Sequence, residues 1–108
     1  MISYTGKRTS AISDVSIGGQ PVLRNGRPLS PKASFKLRIH SPNGFNWGYG
    51  GSGSAQLALA LLYNATHNRH LALNNYQTFK WNFVALWGDT WQITDAEILS
   101  WLQGECPI

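Results

Sequence analysis

The residues best equipped for chemistry fall in two stretches of the chain. The first is Trp47-Gly48-Tyr49-Gly50-Gly51-Ser52-Gly53, which runs into Ala55-Gln56-Leu57-Ala58-Leu59-Ala60-Leu61-Leu62. A glycine loop that opens a helix exposes unpaired backbone N–H groups at the positive end of the helix dipole, a setting that suits phosphate. Trp47, Tyr49, Gly50, Gly51, Ser52 and Gly53 would line such a site. No Lys follows the glycines, so this is not a Walker loop, and the spacing is not the dinucleotide-binding one. The competing reading, which ranks first, is architectural. Glycines let a turn pack tightly while Phe45, Trp47 and Tyr49 plug the core.

The second stretch is Phe35-Lys36-Leu37-Arg38-Ile39-His40, where apolar and basic residues alternate strictly. Read as a strand, it puts Phe35, Leu37 and Ile39 on an inner face and Lys36, Arg38 and His40 on an outer one. With Arg27, Lys32 and Lys7 nearby, that outer face could follow a phosphate backbone or an acidic protein surface. The charge distribution points the same way. Seven of the nine cationic side chains lie in the first forty residues, against Asp14 alone. The remaining residues carry Arg69 and Lys80 against Asp89, Asp95, Glu97 and Glu105. Such asymmetry favours an anionic partner.

Other chemistry is poorly supported. His67 and His70 are three apart, which on a helix would put both on one face, but no third ligand lies near them in sequence, so no metal site is expected. Ser52 or Ser54 could serve as a nucleophile only with a base and an orienting acid, and the carboxylates are scattered in turns and caps. No catalytic residue or cofactor is assigned, and the balance leans away from an enzyme. The single cysteine, Cys106, cannot form an internal disulfide and fits a reducing, cytoplasmic setting.

The elements that must position these residues are legible in outline. The 108 residues read as one domain, with no signal-like start and no apolar run long enough to span a bilayer. Short strands are expected over Ile2–Thr5, ending at Gly6, over Val15–Ile17 and over Pro21–Leu23, with Asn25-Gly26 as a hairpin turn. The Ala/Leu run from Ala55 is apolar on most of its circumference, and only a surrounding core can cover such a helix. Asn64 to Arg69 reads as a connector. Leu73, Tyr76, Phe79, Phe83 and Trp87 then form one stripe of a second helix that ends at Gly88. Trp91-Gln92-Ile93 reads as extended. Thr94-Asp95-Ala96-Glu97 is a capping box, with Ile93 and Ile98 as its hydrophobic staple, opening a third helix that stops at Gly104. The fold class is α+β: a small antiparallel sheet packed on a central buried helix, with two further helices.

The stretch Gly44-Phe45-Asn46-Trp47-Gly48-Tyr49-Gly50-Gly51-Ser52-Gly53 and the helix after it resemble the hallmark of a family of short bacterial and phage proteins of unknown function. The resemblance extends through Tyr4, Gly6, Phe79-Lys80, Trp91 and Trp101-Leu102, and it implies no activity. Two positions depart from the pattern. Asn46 stands where relatives often carry Glu, which removes a carboxylate, and Ser54 stands where they carry Pro, so that Ser would serve as a cap. The leading expectation is a small, non-enzymatic binding protein, of the accessory or inhibitor type that phages and mobile elements carry. It would engage nucleic acid or an acidic protein through Arg27, Lys32, Lys36, Arg38 and His40. The alternative is a binder of a small phosphate-bearing ligand at the glycine loop.

Overall fold

The computed structural model describes residues 1–8, 19–42 and 44–105. The Ala/Leu run forms α2 (Ser52–Thr66), and every residue from Gly53 to Leu62 is buried. Four elements surround it: a short helix α1 (Lys32–Phe35), α3 (Arg69–Asn82), a 3-10 turn (Val84–Leu86) and α4 (Asp95–Glu105). A helix covered on all sides has no face left for charge, which is why its composition is almost wholly Ala and Leu.

The sheet has the order β3-β2-β1-β4, with β1 (Ser3–Lys7), β2 (Val22–Arg24), β3 (Arg27–Pro28) and β4 (Thr90–Thr94), and every neighbouring pair is antiparallel. The turn between β2 and β3 is Asn25-Gly26, both at positive φ, as a two-residue hairpin of right-twisted strands requires. Tyr4, Gly6, Val22, Trp91 and Ile93 face the core. Gly6 lies within β1 rather than ending it. It pairs with Trp91, and a Cβ there would sit 2.3 Å from the Trp91 indole nitrogen. The strand expected over Val15–Ile17 lies outside the described residues.

Three sequence expectations are corrected. Phe35–His40 is not a strand. Pro31 starts a helical turn, with Phe35 N–H donating to Pro31 O at 3.1 Å and Arg38 N–H to Ser34 O at 3.1 Å. The cause is a side chain on α2, Gln56, which is wholly buried and makes four hydrogen bonds to this segment. Its Oε1 accepts from the backbone N–H of His40 (2.7 Å) and Ser41 (3.1 Å), and its Nε2 donates to Ser34 Oγ (2.8 Å) and Arg38 O (3.1 Å). Backbone groups that a strand would give to a neighbouring strand go to one glutamine instead. Phe35 and Leu37 are half-buried, while Ile39 is 60% exposed, so the alternation does not define one inner face.

The second correction concerns the helix expected to end at Gly88. α3 stops at Asn82, and the 3-10 turn follows. The glycine loop takes the carbonyls beyond: Gly48 N–H donates to Val84 O at 2.9 Å and Trp47 Nε1 to Gly88 O at 2.7 Å. The third concerns the connector. α2 continues through Thr66, His67 closes it in the left-handed conformation, and Asn68 caps α3 by accepting from His70 and Leu71 N–H. His67 and His70 therefore do not share a helix face. The capping box forms as read: Glu97 N–H donates to Thr94 Oγ1 at 3.1 Å and Thr94 N–H to Glu97 Oε1 at 3.2 Å, with Ile93 and Ile98 buried beside it.

Candidate anion-binding face and glycine loop

Between Asp14 and Asp89 the chain contains no Asp or Glu. The described carboxylates therefore gather at β4 and α4, where they are largely committed to local structure. Asp89 lies 3.6 Å from Arg8, and Asp95 accepts the Ile2 N–H at 2.9 Å. That backbone bond, aided by the Ala96 N–H and by the chain's amino terminus, lowers the Asp95 pKa against the opposing effect of desolvation. Glu97 serves the capping box.

The opposite holds for the segment from β3 through α1. Arg27, Lys32, Lys36 and Arg38 are all exposed, and none forms an ion pair among the described residues. Lys32 and Lys36 are four apart on a helical turn and so share a side. Lys32, Lys36 and Arg38 are thus presented by a helical turn and the coil after it, and Arg27 by the short strand β3, rather than all by one sheet face. The turn is pinned by Ser34, whose hydroxyl donates to Pro31 O at 2.6 Å and accepts from Gln56. His40 is placed differently from its neighbours. Its Nε2 shares a 2.6 Å hydrogen bond with the hydroxyl of buried Tyr76. Burial, with the charges of Arg38 and Lys80, holds the imidazole below its ordinary pKa. Lys7 is exposed at the end of β1.

In the glycine loop, Trp47 is wholly buried and meets Trp91 edge-on at 5.6 Å, while Trp91 stacks on Trp87 at 4.1 Å. Arg8 locks this end of the loop. It donates to Asn46 Oδ1 (3.0 Å) and Trp47 O (2.8 Å), and its guanidinium lies over the Trp47 ring. Asn46 therefore acts as an acceptor for Arg8 and for the Trp47 N–H. The three glycines around the start of α2 are close-approach positions. A Cβ on Gly50 would meet the Trp81 ring at 2.2 Å, one on Gly51 the Tyr49 ring at 2.2 Å, and one on Gly53 the Asn46 Cβ at 2.7 Å. These contacts account for the glycines by packing alone. Ser54 does not cap α2. The N-cap is Gly51, without a side-chain bond, and the buried Ser54 hydroxyl has no hydrogen-bond partner among the described residues.

The sequence reading missed Lys80. It is 7% exposed, donates to Gly50 O at 3.2 Å and lies 4.4 Å over the Trp81 ring. The signal was its spacing: four residues after Tyr76 and three before Phe83, it occupies the apolar stripe of α3. Lys80 brings a positive charge beside the N-terminus of α2, next to exposed Ser52, Tyr49 and Trp81. No group of three or more His, Cys, Asp or Glu among the described residues could hold a metal ion. No helix among them is long and apolar enough to cross a membrane.

Residues 4–104 match a family of unknown function, DUF6166. The chain belongs to that family. No curated protein and no solved structure matches it. The family match runs across β1, the glycine loop, α2, α3 and α4, so it covers both the loop and the basic segment.

Proposed function

We propose that this chain is a small binding protein that engages an anionic macromolecule through Arg27, Lys32, Lys36 and Arg38. One observation carries the reading: twelve consecutive residues present four exposed cations that have no carboxylate partner among the described residues. Four uncompensated charges held on one braced segment repel each other, and an anionic partner removes that repulsion. His40, turned to Tyr76 and favouring the neutral form, stands outside this set. The test is charge reversal. Lys36→Glu with Arg38→Glu changes only exposed side chains, so the melting temperature stays within a few degrees of wild type. Binding to polyanions, followed by anisotropy at low salt, falls at least tenfold. Wild-type binding that ignores salt concentration, or a double variant that binds as well as wild type, would refute it.

A second reading, a small phosphate-bearing ligand at the glycine loop, is favoured by Lys80. An ammonium at 7% exposure, bonded to Gly50 O beside the positive end of α2, is a site where a bound anion would relieve two like potentials. Melting curves with phosphate and mono- and dinucleotides decide it. At a hundred times the dissociation constant a ligand adds about 2.7 kcal/mol, a shift of several degrees. Flat curves across the panel assign the loop to architecture.

A further inference from the structure

Beside the basic segment lies a cleft of about 180 Å³, between the β3–α1 connection and the C-terminal half of α2. Its apolar lining is Leu29, Ala33 and Ala60, and its polar wall includes Tyr63, Asn64 and His67. The wall has spare hydrogen-bonding capacity. Asn64 Oδ1 accepts from Tyr4 Oη (2.7 Å) and Arg24 Nε (3.0 Å), which fixes the amide and leaves its nitrogen without an acceptor among the described residues. The Tyr63 hydroxyl and the His67 ring make no hydrogen bond among the described residues either. Cations flank the cleft along the chain: Lys32 lies between lining residues Ser30 and Ala33, Arg27 precedes Leu29, and Arg69 follows His67.

We infer that the cleft accepts a single unstacked nucleobase, and that the anionic partner of the basic segment is therefore a single-stranded nucleic acid. The inference rests on the basic-face reading above. The volume is below the range of pockets that hold whole cofactors or drug-sized ligands, and it suits one planar ring. A run of Asp or Glu side chains would use the cations but has no flat apolar group to cover Leu29, Ala33 and Ala60. A base does, and its edge presents both donors and acceptors to the Asn64 amide, the Tyr63 hydroxyl and the His67 ring. Aromatic and imidazole rings beside a splayed base, with cations on the adjoining phosphates, are the chemistry by which single strands are held. Bases in a duplex are stacked and paired, so a duplex cannot fill this cleft.

The experiment compares short fluorescein-labelled strands by anisotropy: an oligothymidine, an abasic strand with the same number of phosphates, a duplex of the same length, and polyglutamate as competitor. The base-bearing strand is expected to bind about tenfold more tightly than the abasic one, the contribution typical of one well-stacked base. Ala33→Phe, at an exposed position, fills the cleft. It brings that ratio close to one while leaving abasic-strand binding and its salt dependence as in wild type. Ser30→Phe, exposed and also lining the cleft, is the second filling variant should the first fold poorly. Equal binding of base-bearing and abasic strands by wild type overturns the cleft inference and spares the basic-face reading. A partner mimicked by polyglutamate but by no strand overturns it likewise. A tenfold preference that survives both filling variants places the base elsewhere and also overturns it. No binding to any polyanion at low salt overturns both readings.

Discussion

Replacing Gln56 with Leu tests whether one buried side chain holds the basic segment to the rest of the fold. The substitution keeps bulk and removes four hydrogen bonds, to the His40 and Ser41 N–H groups, Ser34 Oγ and Arg38 O. At a net contribution of about 1 kcal/mol each, the loss is about 4 kcal/mol, with the apolar gain of Leu offsetting a fraction of it. Against a typical total of roughly 5–15 kcal/mol this is a large share. In a domain of this size about 1 kcal/mol moves the midpoint by roughly 4 °C, so the melting temperature should drop by roughly 16 °C. Calorimetry reads the size, and limited trypsin digestion reads the place, since cleavage after Lys36 and Arg38 should accelerate before global unfolding. Gln56→Glu adds a pH signature. Burial raises the carboxyl pKa above its unfolded value of about 4.3, so the folded state binds the extra proton. Its stability is fully present below that value and is lost as pH rises through the folded pKa, so this variant lies closest to wild type in acid and falls away toward neutrality. A Gln56→Leu protein that melts within about 4 °C of wild type, with unchanged trypsin cleavage, would show that the segment is held by something else.

Two further outcomes follow from the loop and its neighbour. Gly53→Ala forces a Cβ against Asn46, 2.7 Å from its Cβ, and should cost about 1–3 kcal/mol while leaving polyanion binding intact once the protein is folded; a melting point equal to wild type would show that the loop yields freely. His40 is held below its ordinary pKa of 6.5, so the unfolded state takes up its proton first, and stability declines as pH falls through 6.5 toward the folded value. His40→Gln should flatten that part of the stability–pH curve, and an unchanged slope would assign it to another group.

How much of this was legible in the sequence varied with the physics behind each element. α2 was plain because all-round apolarity has one structural meaning, and the box at Thr94–Glu97 because capping is a local, side-chain-specific bond pattern. Phe35–His40 misled because a six-residue alternation fits a strand and a coil with intermittent contacts equally well. The correcting signals were present: Ser30-Pro31 ahead of Lys32 is a helix-start pattern, and a lone Gln in an otherwise apolar helix must find buried partners. Lys80 was hidden because charge outweighs spacing when a stripe is counted. The cleft could not be read at all, since Leu29 and His67 meet only through the packing of α1 on α2.

The sheet has a consequence for how the chain matures. β1 lies between β2 and β4, and its pairing with β4 joins Ser3 to Thr94 and Lys7 to Thr90. A polypeptide emerging N-terminus first can close the β1–β2 pair early, but one edge of β1 stays open until β4 has been synthesised. During that interval Tyr4 and Gly6 lack the Ile93 and Trp91 that cover them, and the exposed strand edge is open to pairing with other nascent chains. Closing so long a loop makes assembly a late, all-or-none event. Any truncation that removes β4 therefore leaves a sticky strand at the centre of what would have been the sheet, rather than a smaller stable domain.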